Sequence, residues 1–220
     1  MPPIYSYLTL AEPTRGEYKD RGSRFLALAV PVNDQRAIAT SLEERRREHG
    51  KASHHAFAWR LGIGLDLYRT NDDGEPSGTA GKPILGQIDK WQLTQILVVV
   101  TRYFGGSLLG TSGLTEAYRA ATAQALASGI LVHKELQDLC LFDIPYAHFP
   151  RFEEAAHRYG LHIDQVAYDT LCHAAVFLPR RFQADLFSRF MADILTCRED
   201  TVIEAAAAAG LHWRKETPHP

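Results

Sequence analysis

Residues 93–101, with Val98, Val99 and Val100 near their end, constrain this chain more than any other stretch. A continuous run of β-branched apolar residues reads as a strand buried on both faces, so its sheet must carry a layer on each side. Residues 24–30, a shorter apolar run closed by Pro31, read as a second strand. Residues 54–60 alternate small side chains (Ala56, Ala58) with aromatics (Phe57, Trp59), as in a strand whose faces meet different neighbours. Asn33 is placed to cap a helix in which Ile38 and Leu42 fall four apart beside the charged residues 43–48. Within it, Arg45, Arg46 and Arg47 read as a solvated face making local ion pairs. A helix over 112–128 carries Leu114, Ala117, Tyr118, Ala121 and Ala125 at helical spacing and ends at Gly129.

The pattern changes after His133. Strand 136–144, helix 150–159, strands 162–168 and 174–178, helix 181–195 and a further element near Thr201 give the order βαββα, open to a final strand. This is the ferredoxin-like split pattern, and the alanine run 205–209 belongs in a helix. The predicted fold class is α+β in two domains, 1–133 and 134–220, a division that 220 residues can support with two cores. The first part has a net charge of +2 and the remainder −4. A whole-chain charge of −2 excludes nucleic-acid or membrane binding through bulk charge, so any polyanion site must be local. Cys140, Cys172 and Cys197 are too scattered for a disulfide framework or a cysteine zinc site, and no stretch approaches a membrane span. Residues from Met1 onward show no basic and apolar leader, which points to a cytoplasmic protein.

Two segments carry chemical information. Residues 71–83 hold Asp72, Asp73 and Glu75 with Ser77, Thr79, Lys82 and several glycines and prolines. Glycines let backbone N–H groups converge on an anion, and Ser77 and Thr79 can cap a helix or donate to a phosphate. The carboxylates oppose that use unless they bind a metal, pair with a cation or cap backbone, so a tightly hydrogen-bonded turn stands beside the anion loop. Residues 101–114 join the buried strand to the Ala-rich helix through Gly105, Gly106, Gly110 and Gly113. Arg102, Tyr103 and Phe104 can offer a cation and stacking faces, or the rings cover the core while Arg102 pairs with Asp72 or Asp73. Neither segment is a Walker loop or a dinucleotide fingerprint.

Together these segments resemble the signature of the IMPACT/YigZ family, approximately DDGEPSGTAG with a following proline, then RYFGG, LG, GL and AY. Here they stand at residues 72–81 with Pro83, 102–106, Leu109-Gly110, Gly113-Leu114 and Ala117-Tyr118. Glu17, residues 23–25 and residues 52–54 also look like the family's N-terminal pattern. The resemblance implies a first domain similar to the second domain of a ribosomal small-subunit protein and to a domain of elongation factor G. It also implies a ferredoxin-like domain similar to that factor's last one. Leu108, Glu116 and Ala56 stand where the family often has Lys, Arg and Cys, so the groove is less basic than the family pattern and the first part has no thiol.

The functional expectation is a non-enzymatic, cytoplasmic protein that binds RNA or the ribosome and regulates translation. Lys82, Arg102, Tyr103, Gly105, Gly106, Ser77, Thr79 and His54 are the candidate nucleic-acid or anion contacts. The roles of Asp72, Asp73 and Glu75 stay open between site and staple. A protein partner fits the acidic second domain; no catalytic residue, cofactor, metal ligand or membrane contact is assigned. The rival readings are a hydrolase or small-molecule enzyme with an anion or metal at residues 72–82, its least strained form using Asp72, Asp73 and His54, and a protein-interaction module. His54 and His55, adjacent on a strand, point to opposite faces and cannot share a metal. The six histidines beyond residue 133 show no ligand spacing.

Overall fold

The structure, a computed structural model, describes residues 5–62, 67–182 and 184–216; the readings made for Met1 to Ile4 and for His219 fall outside it. In chain order the elements are β1 (Ser6–Leu10), β2 (Thr14–Asp20), β3 (Ser23–Pro31), α1 (Gln35–Glu48), β4 (His54–Leu61), β5 (Leu67–Asn71), α2 (Gly81–Lys90), β6 (Ile96–Tyr103), α3 (Gly110–Ala127) and β7 (Leu131–Glu135). There follow β8 (Gln137–Ile144), α4 (Phe149–Arg158), β9 (His162–Tyr168), β10 (Cys172–Pro179), α5 (Ala184–Leu195), α6 (Val202–Ala209) and β11 (His212–Glu216). The result is a mixed α+β chain in two compact units, Ser6–Lys134 and the described residues from Glu135 onward together with Tyr5.

In the first unit β6 is the central strand of an antiparallel sheet ordered β2-β3-β6-β4-β5, and both its faces are buried as its β-branched run requires. On one face Phe25, Ala27, Ala29, Ala56, Ala58, Val98 and Val100 pack against α2 and α3. On the other, Phe57, Trp59, Leu97 and Val99 meet Ile38 of α1. The small residues of β4 thus lie under two helices and its aromatics under one. α3 approaches the sheet closely because it presents Ala117, Ala121 and Ala125. Gly16 of β2 completes the fit: a Cβ there would overlap the backbone nitrogen of Ala125 and stand 2.6 Å from the carbonyl oxygen of Ala121.

Two readings of α1 are corrected. Its N-cap is Asp34, whose Oδ1 accepts from the Ala37 N–H at 2.7 Å, and not Asn33. Arg45 is not solvated; it is 3% exposed. The stripe Ile38, Leu42 continues at helical spacing to Arg45, so its stem faces the sheet, where Nε donates to Thr101 Oγ1 (3.0 Å) and Nη2 to the Leu26 carbonyl (3.1 Å).

The second unit is an antiparallel sheet ordered β11-β8-β10-β9, with the connectivity β8-α4-β9-β10-α5-β11 and α6 added before the last strand. This is a split β-α-β arrangement closed by a final strand. Alternate residues of β8 and β10 (Phe142, Ile144, Ala174, Val176) pack against α4 and α5 around Phe152 and Phe190. Phe142 lies 5.1 Å from Phe152 and 6.2 Å from Phe190 between ring centroids, edge-on or tilted arrangements favoured by aromatic quadrupoles. The three cysteines are free, and burial pushes the Cys140 thiol up to about 11. No described helix is long and apolar enough to cross a membrane.

Candidate functional site

The acidic segment is a self-capped turn between β5 and α2. Asn71 Oδ1 accepts from the Asp73 N–H at 2.7 Å, and the turn continues through positive φ at Asp73 (+47°) and Gly74 (+88°). Asp72 faces back onto the loop: its carboxylate accepts from the N–H groups of Gly78 (2.9 Å), Ala80 (3.1 Å) and Gly81 (2.8 Å), the last two at the start of α2. Burial would raise its pKa, but those three N–H groups outweigh it and hold the carboxyl below the ordinary value. Asp73 accepts from the His55 N–H at 2.6 Å and meets Arg46 at 3.4 Å, while its carbonyl holds His54 Nδ1 at 2.7 Å. Asp72, Asp73 and His54 therefore do not converge on a common point, and no group of three potential metal ligands occurs among the described residues.

Glu75 has a different place. Its side chain is 3% exposed and that of Arg102 is 6% exposed, with Arg102 Nη1 donating to both carboxylate oxygens at 2.7 and 2.9 Å. Arg102 pairs with Glu75, and not with Asp72 or Asp73 as the sequence suggested. Tyr118 of α3 donates its hydroxyl to Glu75 Oε1 at 2.8 Å, and burial beside that carboxylate raises the phenol's pKa, keeping it a donor. Glu75, Arg102 and Tyr118 thus tie the acidic turn, the end of β6 and α3 together. Arg102 lies between two rings, 5.4 Å from the Phe25 centroid and 5.5 Å from that of Phe104.

Above this triad lies a cavity of about 470 Å³. His54, Glu75, Pro76 and Arg102 form one part of its wall, and Phe104, Leu108, Leu109, Thr111 and Leu114 the other. Of the expected contacts, the cavity gathers His54 and Arg102. Tyr103 points to the opposite face of the sheet, with its hydroxyl 3.0 Å from His49 Nδ1, because successive strand residues alternate. Phe104, half exposed, is the aromatic at the cavity. Gly105 is a packing glycine: its N–H donates to Ser23 Oγ at 3.1 Å and a Cβ there would overlap the backbone of Gly22 and Ser23. Gly106 supplies a positive φ of +87°. Thr79 donates its hydroxyl to the Pro76 carbonyl at 2.6 Å, while Ser77 is exposed on the turn. Lys82 is exposed on the first turn of α2, its stem beside Gly78.

The N-terminus of α3 opens on the same cavity. Its N-cap, Leu109, has helical backbone angles and contributes no side-chain cap, and Thr111 of the first turn lines the wall. Sequence reading missed the weight of Leu108, which is 83% exposed at the rim. A large apolar residue inside a glycine-rich loop was the available signal.

Comparison with known proteins places these features in a family. Residues 21–126 match the Impact N-terminal domain, a span that contains the acidic turn, the triad and all of α3 but its last residue. An IMPACT family member from Haemophilus influenzae is 35% identical over 150 residues, covering 66% of this chain and 70% of that protein. The IMPACT family member YvyE of Bacillus subtilis is 27% identical over 197 residues, 90% of each chain. A crystal structure described as that of an hypothetical protein superposes with a TM-score of 0.71 at 28% identity, over 99% of this chain and all of the other. The chain belongs to the IMPACT family.

Proposed function

We propose that the protein binds RNA on the ribosome through its first unit and acts on translation without catalysing a reaction. The observation that carries this is the juxtaposition, in one cavity, of an uncapped helix N-terminus with the exposed side chains of Phe104 and Leu108. A helix N-terminus favours a phosphate, and an exposed ring favours a base. Asp72 and Glu75 support a non-catalytic role because their oxygens are turned to backbone N–H groups, Arg102 and Tyr118. Fold likeness of the first unit to a ribosomal-protein domain, and of the second to the last domain of elongation factor G, belongs to the same proposal. The second unit, which carries the acidic excess, is assigned to a protein partner.

Binding of the full chain to ribosomes and to short single-stranded RNA across a salt series tests this reading. Lys82→Glu and Phe104→Ala are the variants of choice, since both side chains are accessible, whereas a glutamate at position 102 would face Glu75 in the interior. Salt-sensitive binding that both variants weaken supports the proposal. Absence of binding at low salt, with the fold intact by circular dichroism, refutes it.

A further inference from the structure

We propose that β9, an edge strand of the second unit, takes an extended lysine- or arginine-bearing segment of a partner protein as an added strand. The proposal rests on the protein partner assigned to the second unit and gives it a place and a chemistry; the RNA reading of the first unit does not enter. In the sheet order β11-β8-β10-β9, β9 bonds to β10 alone, and no described strand pairs its outer edge. Such an edge is a template for pairing unless charge or proline blunts it. The opposite edge, β11, reads HWRKE and is blunted in that way, whereas β9 reads HIDQVAY. A register shift opposite Ala175 and Val176 leaves Asp164 unpaired as a bulge. After it, Gln165, Val166, Ala167 and Tyr168 run in regular register without a charge.

Val166 and Tyr168 stand opposite Ala174 and Cys172, both buried beneath α4 and α5, so they belong to the core face of the sheet. They are nevertheless 37% and 61% exposed. Phe149 at the start of α4 meets Tyr168 edge-on at 5.8 Å, and the half-exposed Tyr146 stacks on it at 6.4 Å. The core therefore runs out to the edge and stops one strand short, where alternate side chains of an added strand would cover it. Charge selects the occupant. No Lys or Arg occurs from 159 to 179, a stretch that holds Asp164 and Asp169. Glu153, one turn beyond Phe149 on α4, acts on the same place: burial and then its charge push up the thiol of Cys172, the register partner of Tyr168. Asp169 shares its carboxylate with His173, so Glu153 and Asp164 are the open charges; both are exposed, and neither makes an ion pair among the described residues. Arg151 and Arg158 of the same helix turn away, to Thr196 and Asp193. A second copy would bring the same carboxylates against these, whereas Lys or Arg satisfies both the carboxylates and the tyrosine rings.

The test is an amide NMR titration of the full chain at low salt with the peptide acetyl-KKVTVKK-amide, with its counterpart acetyl-EEVTVEE-amide, and with the basic peptide N-methylated at its three central residues. A short single-stranded RNA is titrated beside them. The basic peptide should shift the amides of residues 165–168 and bind about tenfold more tightly than the acidic one. N-methylation removes the strand's N–H donors and should weaken binding about tenfold. Val166→Lys, and separately Glu153→Lys with Asp164→Lys, all at exposed positions, should each do the same with the circular dichroism unchanged. Equal binding of the basic and acidic peptides, indifference to N-methylation, or indifference to Val166→Lys overturns the inference. Shifts confined to the open sheet face around Leu141, Ala175 and Arg214 overturn the edge placement and leave a protein partner for the second unit standing. No shift anywhere in that unit overturns both. RNA that shifts the β9 amides, or a dimer in sedimentation that Val166→Lys abolishes, puts another occupant on the edge and overturns the inference as well. RNA binding by the first unit is read in the same spectra and stands or falls separately.

Discussion

Removing the charge of Glu75 should destabilise the first unit more than any other single polar change near the cavity. Glu75→Gln leaves the Arg102 guanidinium buried beside a neutral amide, and breaking a buried ion pair from one side costs about 3–5 kcal/mol. The lower end applies, because the Gln oxygen can still accept from Tyr118 and one Arg102 N–H. Tyr118→Phe removes one hydrogen bond to a charged acceptor while the pair persists, at about 1.5–3 kcal/mol. If charge is the cause, Glu75→Gln combined with Arg102→Met should be more stable than Glu75→Gln alone, with a coupling of about 2–3 kcal/mol. Urea denaturation followed by tryptophan fluorescence in a Trp213→Phe background reads the first unit alone, since Trp59 and Trp91 both lie there and a two-unit chain need not unfold in one step. A cost for Glu75→Gln under about 1 kcal/mol, or strict additivity in the double variant, would refute the assignment of this triad as the clamp that positions α3.

Other outcomes follow from the same contacts. Asp72→Ala strips the cap from three backbone N–H groups and should cost about 1–3 kcal/mol in the same assay. Because the folded pKa of Asp72 is lowered, its contribution is present above the ordinary carboxylate pKa and lost as pH falls through the folded value, and Asp72→Asn should flatten that acid limb. Gly16→Ala should destabilise by about 1–3 kcal/mol by pushing α3 from β2, while Gly86→Ala in open space on α2 should stabilise by about 0.5–1 kcal/mol. Burial lowers the pKa of His55, so its stabilising contribution holds above about 6.5 and fades on acidification. Hydrogen bonds to Asp143 and Asp169 raise that of His173, so its contribution is full below that value and fades as pH rises through the folded pKa; NMR titration of the two rings should give midpoints on opposite sides of it.

How far the sequence was legible depended on the kind of signal. The β6 run and the alternation in β4 specified strand, burial and face together, since hydrophobic periodicity is local and strong. The order βαββα beyond His133 was readable for the same reason, whereas the closing strand stayed open in the sequence and the last element, expected near Thr201, is a helix before it. β2 and β5 were not readable, because TRGEYKD and LYRTN sit at the sheet edges and their pattern is largely polar. α2 was hidden by Gly81 and Pro83, whose place at a helix start becomes evident only with the Asp72 contacts. Arg45 and Arg102 show the limit of reading charge as surface. Each has a buried partner set drawn from distant segments, and no spacing rule could select Thr101 for one or Glu75 for the other.

The end of β6 shows why the cavity has less positive charge than its sequence suggests. Thr101 faces α1 and takes Arg45 and His55, Arg102 faces α3 and takes Glu75, and Tyr103 returns to the α1 side with His49. The arginine at the cavity, Arg102, is therefore paired with Glu75 before any ligand arrives, and Arg45 is spent on the opposite face of the sheet. What remains for an RNA is the backbone of α3, Lys82 on the neighbouring helix and the apolar pair Phe104 and Leu108. Single-strand binding loses about 0.7 in log K per decade of salt for each phosphate neutralised, so a site of this composition should give a slope near −1. Stacking, insensitive to salt, should then supply most of the affinity. A measured slope near −5 would require a cationic tract tracking several phosphates, and Phe104→Ala would then leave RNA affinity almost untouched; measuring both on one sample decides between the two descriptions.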